Sequence, residues 1–155
     1  MHRVCKIFWL ETGHFLSSPH NSSNCRIPHG HSRKVEIIVA AEELDRDNMV
    51  CDFQVFKTAF GEFLDSFDHA MLINTDSPHY KYFKNNFDRI IGFEGKDPTS
   101  EAVAERIFKH IDKALKDQKI FTNKDGNKYT LSKHAYLERV RVWETVTCWA
   151  EYSLN

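Results

Sequence analysis

The stretch HGHSRKVEIIVAA, residues 29–41, decides how this chain is read. Val35, Ile37 and Val39 fall on one face and Lys34 and Glu36 on the other, the period of two that marks a strand with one buried face. The same period puts His29 and His31 on one face, one pleat apart. Two neutral imidazoles so placed can share a metal ion. A third ligand from a neighbouring strand would complete a three-histidine site with one open position, which suits catalytic zinc. Gly30 between them allows backbone or substrate to come close.

Upstream, residues 4–13 alternate loosely, with Val4, Ile7, Trp9 and Leu10 apolar, and read as a first strand ending at His14. Residues 15–28 (FLSSPHNSSNCRIP) are rich in Ser, Asn and Pro and read as a loop. His14 and His20 therefore compete as third ligand. A hairpin-like pairing would bring His14 opposite the HGH strand, whereas His20 lies within the loop. Cys25, four residues before His29, is either a further ligand or an activated thiolate serving as base or nucleophile.

Downstream, residues 43–50 form a turn. Asp52 to Phe67 is helical, with Phe53, Phe56, Phe60, Phe63, Leu64 and Phe67 as one apolar stripe and Asp52 as N-cap. Residues 75–97 are a long irregular excursion with a short strand at Ile90–Phe93. A second helix spans Ser100 to Lys116, capped by Thr99, with Val103, Ile107, Phe108, Ile111 and Leu115 buried. Residues 117–136 read as an insertion with a turn at Asp125-Gly126, and 137–146 and 147–152 read as two final strands. Two strands, two helices and two strands predict an α+β fold whose sheet is covered on one face.

The 155 residues fit a single domain, 1–155. Hydrophobic residues make up 41% and charged residues 28%, a globular composition. With 21 basic and 22 acidic residues, the net charge of −1 argues against general nucleic-acid or anionic-membrane binding, which needs a basic excess. No uncharged apolar run approaches the roughly 18 residues of a membrane span. Lys6 and Glu11 interrupt the N-terminal apolar stretch, against a signal peptide. The four scattered cysteines suggest no disulfide scaffold, so a cytoplasmic location is expected.

Two more constellations carry chemistry. Asp68-His69 is either a carboxylate–imidazole proton relay or a helix C-terminus at which His is favoured by the dipole. Glu144, in phase with Val140 and Val142, faces inward and needs a partner. A guanidine-like ligand edge would supply two donors. A salt bridge to Arg139 or Arg141 is the alternative.

In order along the chain stand His14, then Cys25-x-x-x-His29-Gly30-His31, Met49-Val50-Cys51-Asp52-Phe53, Phe67-Asp68-His69, Pro98-Thr99-Ser100-Glu101 and Glu144-Thr145. Together they resemble the 6-pyruvoyl-tetrahydropterin synthase / 6-carboxytetrahydropterin synthase (QueD) family. The chain departs from that pattern at Glu11, Thr12 and Gly13, where small residues are usual, and at Ala102, where Asn is usual.

The resemblance implies a T-fold: a ββααββ antiparallel sheet with two helices on one face. It implies a homohexamer, a dimer of trimers, with active sites between subunits. It makes His14, His29 and His31 the ligands of Zn2+, and His20 a solvated loop residue. It makes Cys25 the general base and Asp68 and His69 the proton relay. Glu144 becomes the pterin anchor, with Thr99, Ser100 and Thr145 as secondary contacts. The implied substrate is 7,8-dihydroneopterin triphosphate. One outcome is 6-carboxytetrahydropterin with acetaldehyde and triphosphate, which feeds queuosine and other 7-deazapurines; the other is the 6-pyruvoyl product. Arg26, Arg33, Lys34 and Lys133 are the candidate triphosphate contacts. A closed structural zinc site, or a pterin-binding module without chemistry, is the non-enzymatic alternative.

Overall fold

The computed structural model describes residues 1–117 and 120–154. Residues 118 and 119, inside the stretch read as an insertion, lie outside the described residues, as does residue 155.

Two long strands organise the chain. β1 (His2–His14) and β2 (His29–Ala41) pair antiparallel along their whole length, from His2 opposite Ala41 to His14 opposite His29. β7 (Tyr136–Trp143) pairs antiparallel with β2, and β8 (Trp149–Ser153) with β7. One face of this sheet carries Leu10, Val35, Ile37, Val39, Val140 and Val142, all buried. Two amphipathic helices, α1 (Gln54–Asp65) and α3 (Ser100–Asp117), share the core with that face. The expected two-strand, two-helix, two-strand frame is therefore present.

The sheet is larger than ββααββ and not wholly antiparallel. β3 (Ala70–Asn74) lies parallel to β1, and β4 (Ile90–Phe93) parallel to β3, extending the order to β4-β3-β1-β2-β7-β8. A short helix, α2 (Tyr80–Asn86), connects them. β3 is five residues of mostly apolar sequence, too short to show a period. α2 buries none of its residues and so leaves no apolar stripe to read. A hairpin of β5 (Ile120–Thr122) and β6 (Lys128–Thr130) turns through Gly126 at φ +85°, a left-handed conformation suited to glycine.

α1 begins after Phe53, two residues later than the sequence suggests. The Asp52 carboxylate still accepts the Gln54 N–H at 2.7 Å, satisfying one free donor of the first turn. Phe56, Phe60, Leu64 and Phe67 are buried as expected, but Phe53 is exposed, and Phe63 instead stacks on His110 of α3 at 3.5 Å. In α3 all five expected core positions are buried, and Thr99 Oγ1 accepts the Ala102 N–H at 3.3 Å.

Phe60 meets Phe56 and Phe121 edge to face beneath the sheet. Phe60→Ala is expected to lower stability by about 3–5 kcal/mol, through lost transfer energy and a residual cavity. Urea unfolding at saturating metal measures it.

Candidate active site and metal centre

The face that is apolar in the middle of β1 and β2 becomes polar at their paired ends. Leu10 and Val35 give way to Thr12 and Arg33, and these to His14, His29 and His31. The register places His14 directly opposite His29, with His31 opposite Thr12. Nitrogens of the three imidazoles lie within 4.8 Å of one another. His14, not His20, completes this three-imidazole cluster; His20 is exposed in the loop.

The hydrogen bonds behind the rings prepare them for a cation. His14 Nδ1 donates to the Pro98 carbonyl at 2.8 Å, and His29 Nδ1 to the Ile27 carbonyl at 2.7 Å. Backbone oxygens only accept, so in the neutral rings Nε2 is the bare nitrogen, the usual way an outer partner orients a ligating histidine. The two Nε2 atoms face each other at 3.1 Å, two lone pairs opposed unless a cation sits against them. His31 Nε2 is buried without a hydrogen bond; its nearest acid, Glu144 Oε1, lies 3.4 Å away outside hydrogen-bonding geometry. An all-imidazole set with an orphaned buried nitrogen fits zinc or a similar divalent ion. Burial pushes the pKa of His14 down to about 4, and the positive charge of Arg33 acts in the same direction. Burial also lowers that of His31.

Arg33 overturns an expectation. It is not a surface cation free for triphosphate but a fully buried side chain, 0% exposed. Its Nε donates to Thr12 Oγ1 at 2.9 Å and its Nη1 to Ser100 Oγ at 2.6 Å, with Glu144 Oε2 at 3.3 Å from Nη1. The Ser100 hydroxyl in turn donates to Glu144 Oε2. Burial alone would raise the Glu144 pKa, but Ser100, Arg33 and His31 outweigh it and hold the carboxyl below its ordinary value. The inward-facing Glu144 thus has a partner from its own chain, and it is Arg33, not Arg139 or Arg141. Those two alternate with Val140 and Val142, so they point to the opposite face, where they pair with Glu138, Glu36 and Glu151. Lys34 is also on that face, bonded to Glu36 and over Trp143. The signal for Arg33 was present in the sequence: it shares parity with His31 and Val35 on a strand whose odd positions face inward.

Cys25 is partly buried in the loop and is not among the three clustered ligands. Its Sγ accepts from Ser22 Oγ at 3.1 Å, and its carbonyl accepts the Leu16 N–H at 2.8 Å, tying it two residues from His14. Asp97 anchors the start of the same loop, accepting the N–H groups of Ser17 and Ser18.

Asp68 and His69 form a dyad at the α1–β3 turn. Asp68 Oδ2 lies 2.8 Å from His69 Nδ1, while Oδ1 accepts the Glu11 N–H at 2.8 Å. The Glu11 N–H, with His69 second, holds the Asp68 carboxyl below the usual range. His69 has a left-handed backbone, φ 57°, costing roughly 1–2 kcal/mol. The bond from its N–H to the Glu11 carbonyl, 2.6 Å, helps hold it. Its side chain is 73% exposed. It borders a groove of about 400 Å3 that also exposes Gly13, Gly30, His31 and Met71. Among the described residues no hydrogen bond or ion pair joins Cys25, the dyad and Glu144 to one another within one chain. Thr145 lies exposed in the β7–β8 turn, where its Oγ1 accepts the Cys148 N–H at 3.1 Å.

This arrangement belongs to a known class. The structure aligns with Caenorhabditis elegans 6-pyruvoyl tetrahydropterin synthase at a TM-score of 0.61 and 20% identity, covering 99% of this chain and 96% of that one. The fold is thus the T-fold, in the α+β class. The family model for 6-pyruvoyl tetrahydropterin synthase matches residues 3–155, and the chain belongs to that family. Among similar proteins, a Synechocystis 6-carboxy-5,6,7,8-tetrahydropterin synthase is 34% identical over 72% of this chain and 75% of its own. One from Aquifex aeolicus is 26% identical over 84% of this chain and 76% of its own. No helix among the described residues is long and apolar enough to cross a membrane.

Two outcomes are expected. One zinc ion per chain is retained on purification and lost in His14→Ala, His29→Ala and His31→Ala, as read by elemental analysis. In metal-free protein, the unfolded chain takes up a proton at His14 below its ordinary pKa of 6.5, and the folded chain refuses it until about 4. The His14 contribution to stability therefore falls as pH drops from about 6.5 to about 4. Urea midpoints across that range check this, with His14→Asn expected to flatten the slope.

Proposed function

We propose that this protein is a zinc-dependent 6-carboxy-5,6,7,8-tetrahydropterin synthase. It acts on 7,8-dihydroneopterin triphosphate and releases acetaldehyde and triphosphate, within queuosine and 7-deazapurine biosynthesis in the cytoplasm. The observation that carries the reading is the convergence of His14, His29 and His31 beside the inward carboxylate of Glu144. The curated relatives of this chain that bear the 6-carboxy name support it.

When bound, the metal supplies a Lewis acid that polarises a substrate oxygen. Everything else falls to the chain. Glu144, held ionised and oriented by Ser100 and Arg33, accepts from the 2-amino and N3 groups of the pterin. Ser100 acts through Glu144, and Thr99 fixes the start of α3 beneath the site. Thr145 is a secondary contact. Cys25 takes a proton as general base. Asp68 orients His69 through Nδ1, leaving Nε2 for proton exchange with substrate.

Among the described residues no hydrogen bond or ion pair joins Cys25, the dyad and Glu144 within one chain, an arrangement compatible with sites shared between subunits. The chain also leaves apolar surface open on the sheet face away from the helices: Trp9 is 65% exposed, and Ile7 and Trp149 on the same face are exposed too. β4 and β8 are open sheet edges. A dimer of trimers covers such edges and brings one subunit's dyad to another's metal centre.

A second reading, 6-pyruvoyl tetrahydropterin synthase, draws support from the structural neighbours of that name. Mass spectrometry of the products from 7,8-dihydroneopterin triphosphate separates the two. A 6-carboxy product with trapped acetaldehyde is expected; a 6-pyruvoyl product selects the second reading. Cys25→Ala is expected to lose at least 100-fold in kcat, the lower end for removing a general base, while keeping its zinc. Loss of zinc instead would assign Cys25 to a closed structural site. Light scattering after size exclusion is expected to give the mass of six chains, and a monomer would sink the shared-site arrangement.

A further inference from the structure

A guanidinium with no exposure sits directly behind a metal ligand. Arg33 Nη2 lies 3.3 Å from His14 Nδ1. That nitrogen already donates to Pro98, so it cannot accept from Arg33, and the guanidinium acts on His14 through its charge. Arginine stays charged in proteins even when buried. A fixed positive charge so near the cluster opposes the arrival of a divalent cation, and low local polarizability strengthens that opposition. The acid in contact with Arg33 is Glu144, at 3.3 Å from Nη1 and also linked to it through the Ser100 hydroxyl. The other oxygen of the same carboxylate is 3.4 Å from the orphaned His31 Nε2. One carboxylate therefore lies between the guanidinium and the imidazole cluster and touches both.

We propose that Arg33 is a positioning residue that makes Glu144 part of the charge balance of the metal centre. Glu144 neutralises the buried guanidinium and so permits tight metal binding, in addition to its part in substrate recognition. The inference rests on the metal-site reading above. It predicts that neutralising Glu144 weakens metal binding and that removing the Arg33 charge as well restores it.

The test is a double-mutant cycle on the full chain, read as the zinc dissociation constant in competition with a chromophoric chelator. Glu144→Gln is expected to weaken zinc binding at least tenfold. Arg33→Met is expected to leave it unchanged or tighter. The Arg33→Met/Glu144→Gln double variant should return to within threefold of the unaltered protein. Arg33→Lys keeps the charge without the planar fork, so Arg33→Lys/Glu144→Gln should stay as weak as Glu144→Gln; this separates charge from packing. A double variant Arg33→Met/Glu144→Gln as weak as Glu144→Gln, or no loss in Glu144→Gln, overturns the inference. Should Glu144→Gln alone fail to fold, recovery of the folded circular-dichroism spectrum in Arg33→Met/Glu144→Gln reads the same coupling, and no recovery overturns it. Absence of zinc binding by the unaltered protein overturns both the metal-site reading and this inference. Zinc binding that the double variant does not restore overturns this inference alone.

Discussion

The structure depends on one register: the antiparallel pairing of β1 with β2 that sets His14 opposite His29 and Gly13 opposite Gly30. A slip of one residue would flip every side chain of one strand to the other face. The apolar middle of the shared face, Leu10 with Val35, Ile37 and Val39, makes that slip prohibitive, because it would expose core residues and bury Lys34 and Glu36. The hydrophobic core thereby dictates the geometry of the polar end. The geometry of the His14, His29 and His31 cluster is inherited from packing several residues away.

The polar end is a graded structure. Next to the core lies a hydrogen-bonded layer of Thr12, Arg33 and Ser100, and beyond it the three imidazoles, of which His14 and His29 have Nδ1 held by backbone carbonyls. Buried polar groups are tolerated when their bonds are made, and here nearly all are. One exception among the described residues, His31 Nε2, lies where a cation would be bound. The start of α3 closes this layer from above. Pro98, Thr99 and Ser100 serve the helix terminus and the site at once, so the position of the helix and the orientation of His14 and Glu144 are one constraint.

The opposite face of the sheet has a different character. Lys34, Glu36, Arg139, Arg141 and Glu151 form a ladder of ion pairs among exposed Ile7, Trp9 and Trp149. Their mixture with large aromatics describes a surface suited to facing other protein, in keeping with the assembly proposed above.

Much of this was legible in one dimension. Alternation over 29–41 set the strand, its inward face and the shared face of His29 and His31, and the steps of three and four set α1 and α3, because these signals are periodic and local; between His14 and His20 spacing alone did not choose. The sequence could not show β3 and β4 joining in parallel beside β1, since short apolar runs carry no period and parallel pairing comes from distant segments. Nor could it show that Arg33, rather than Arg139 or Arg141, would meet Glu144. Parity places Arg33 and Glu144 on the inward face, but their contact depends on β7 lying beside β2 and on α3 bringing Ser100 between them. By itself the sequence determined which side chains face inward. The tertiary structure decided which of them touch, because a charge's partner is chosen by proximity across strands and not by spacing along the chain.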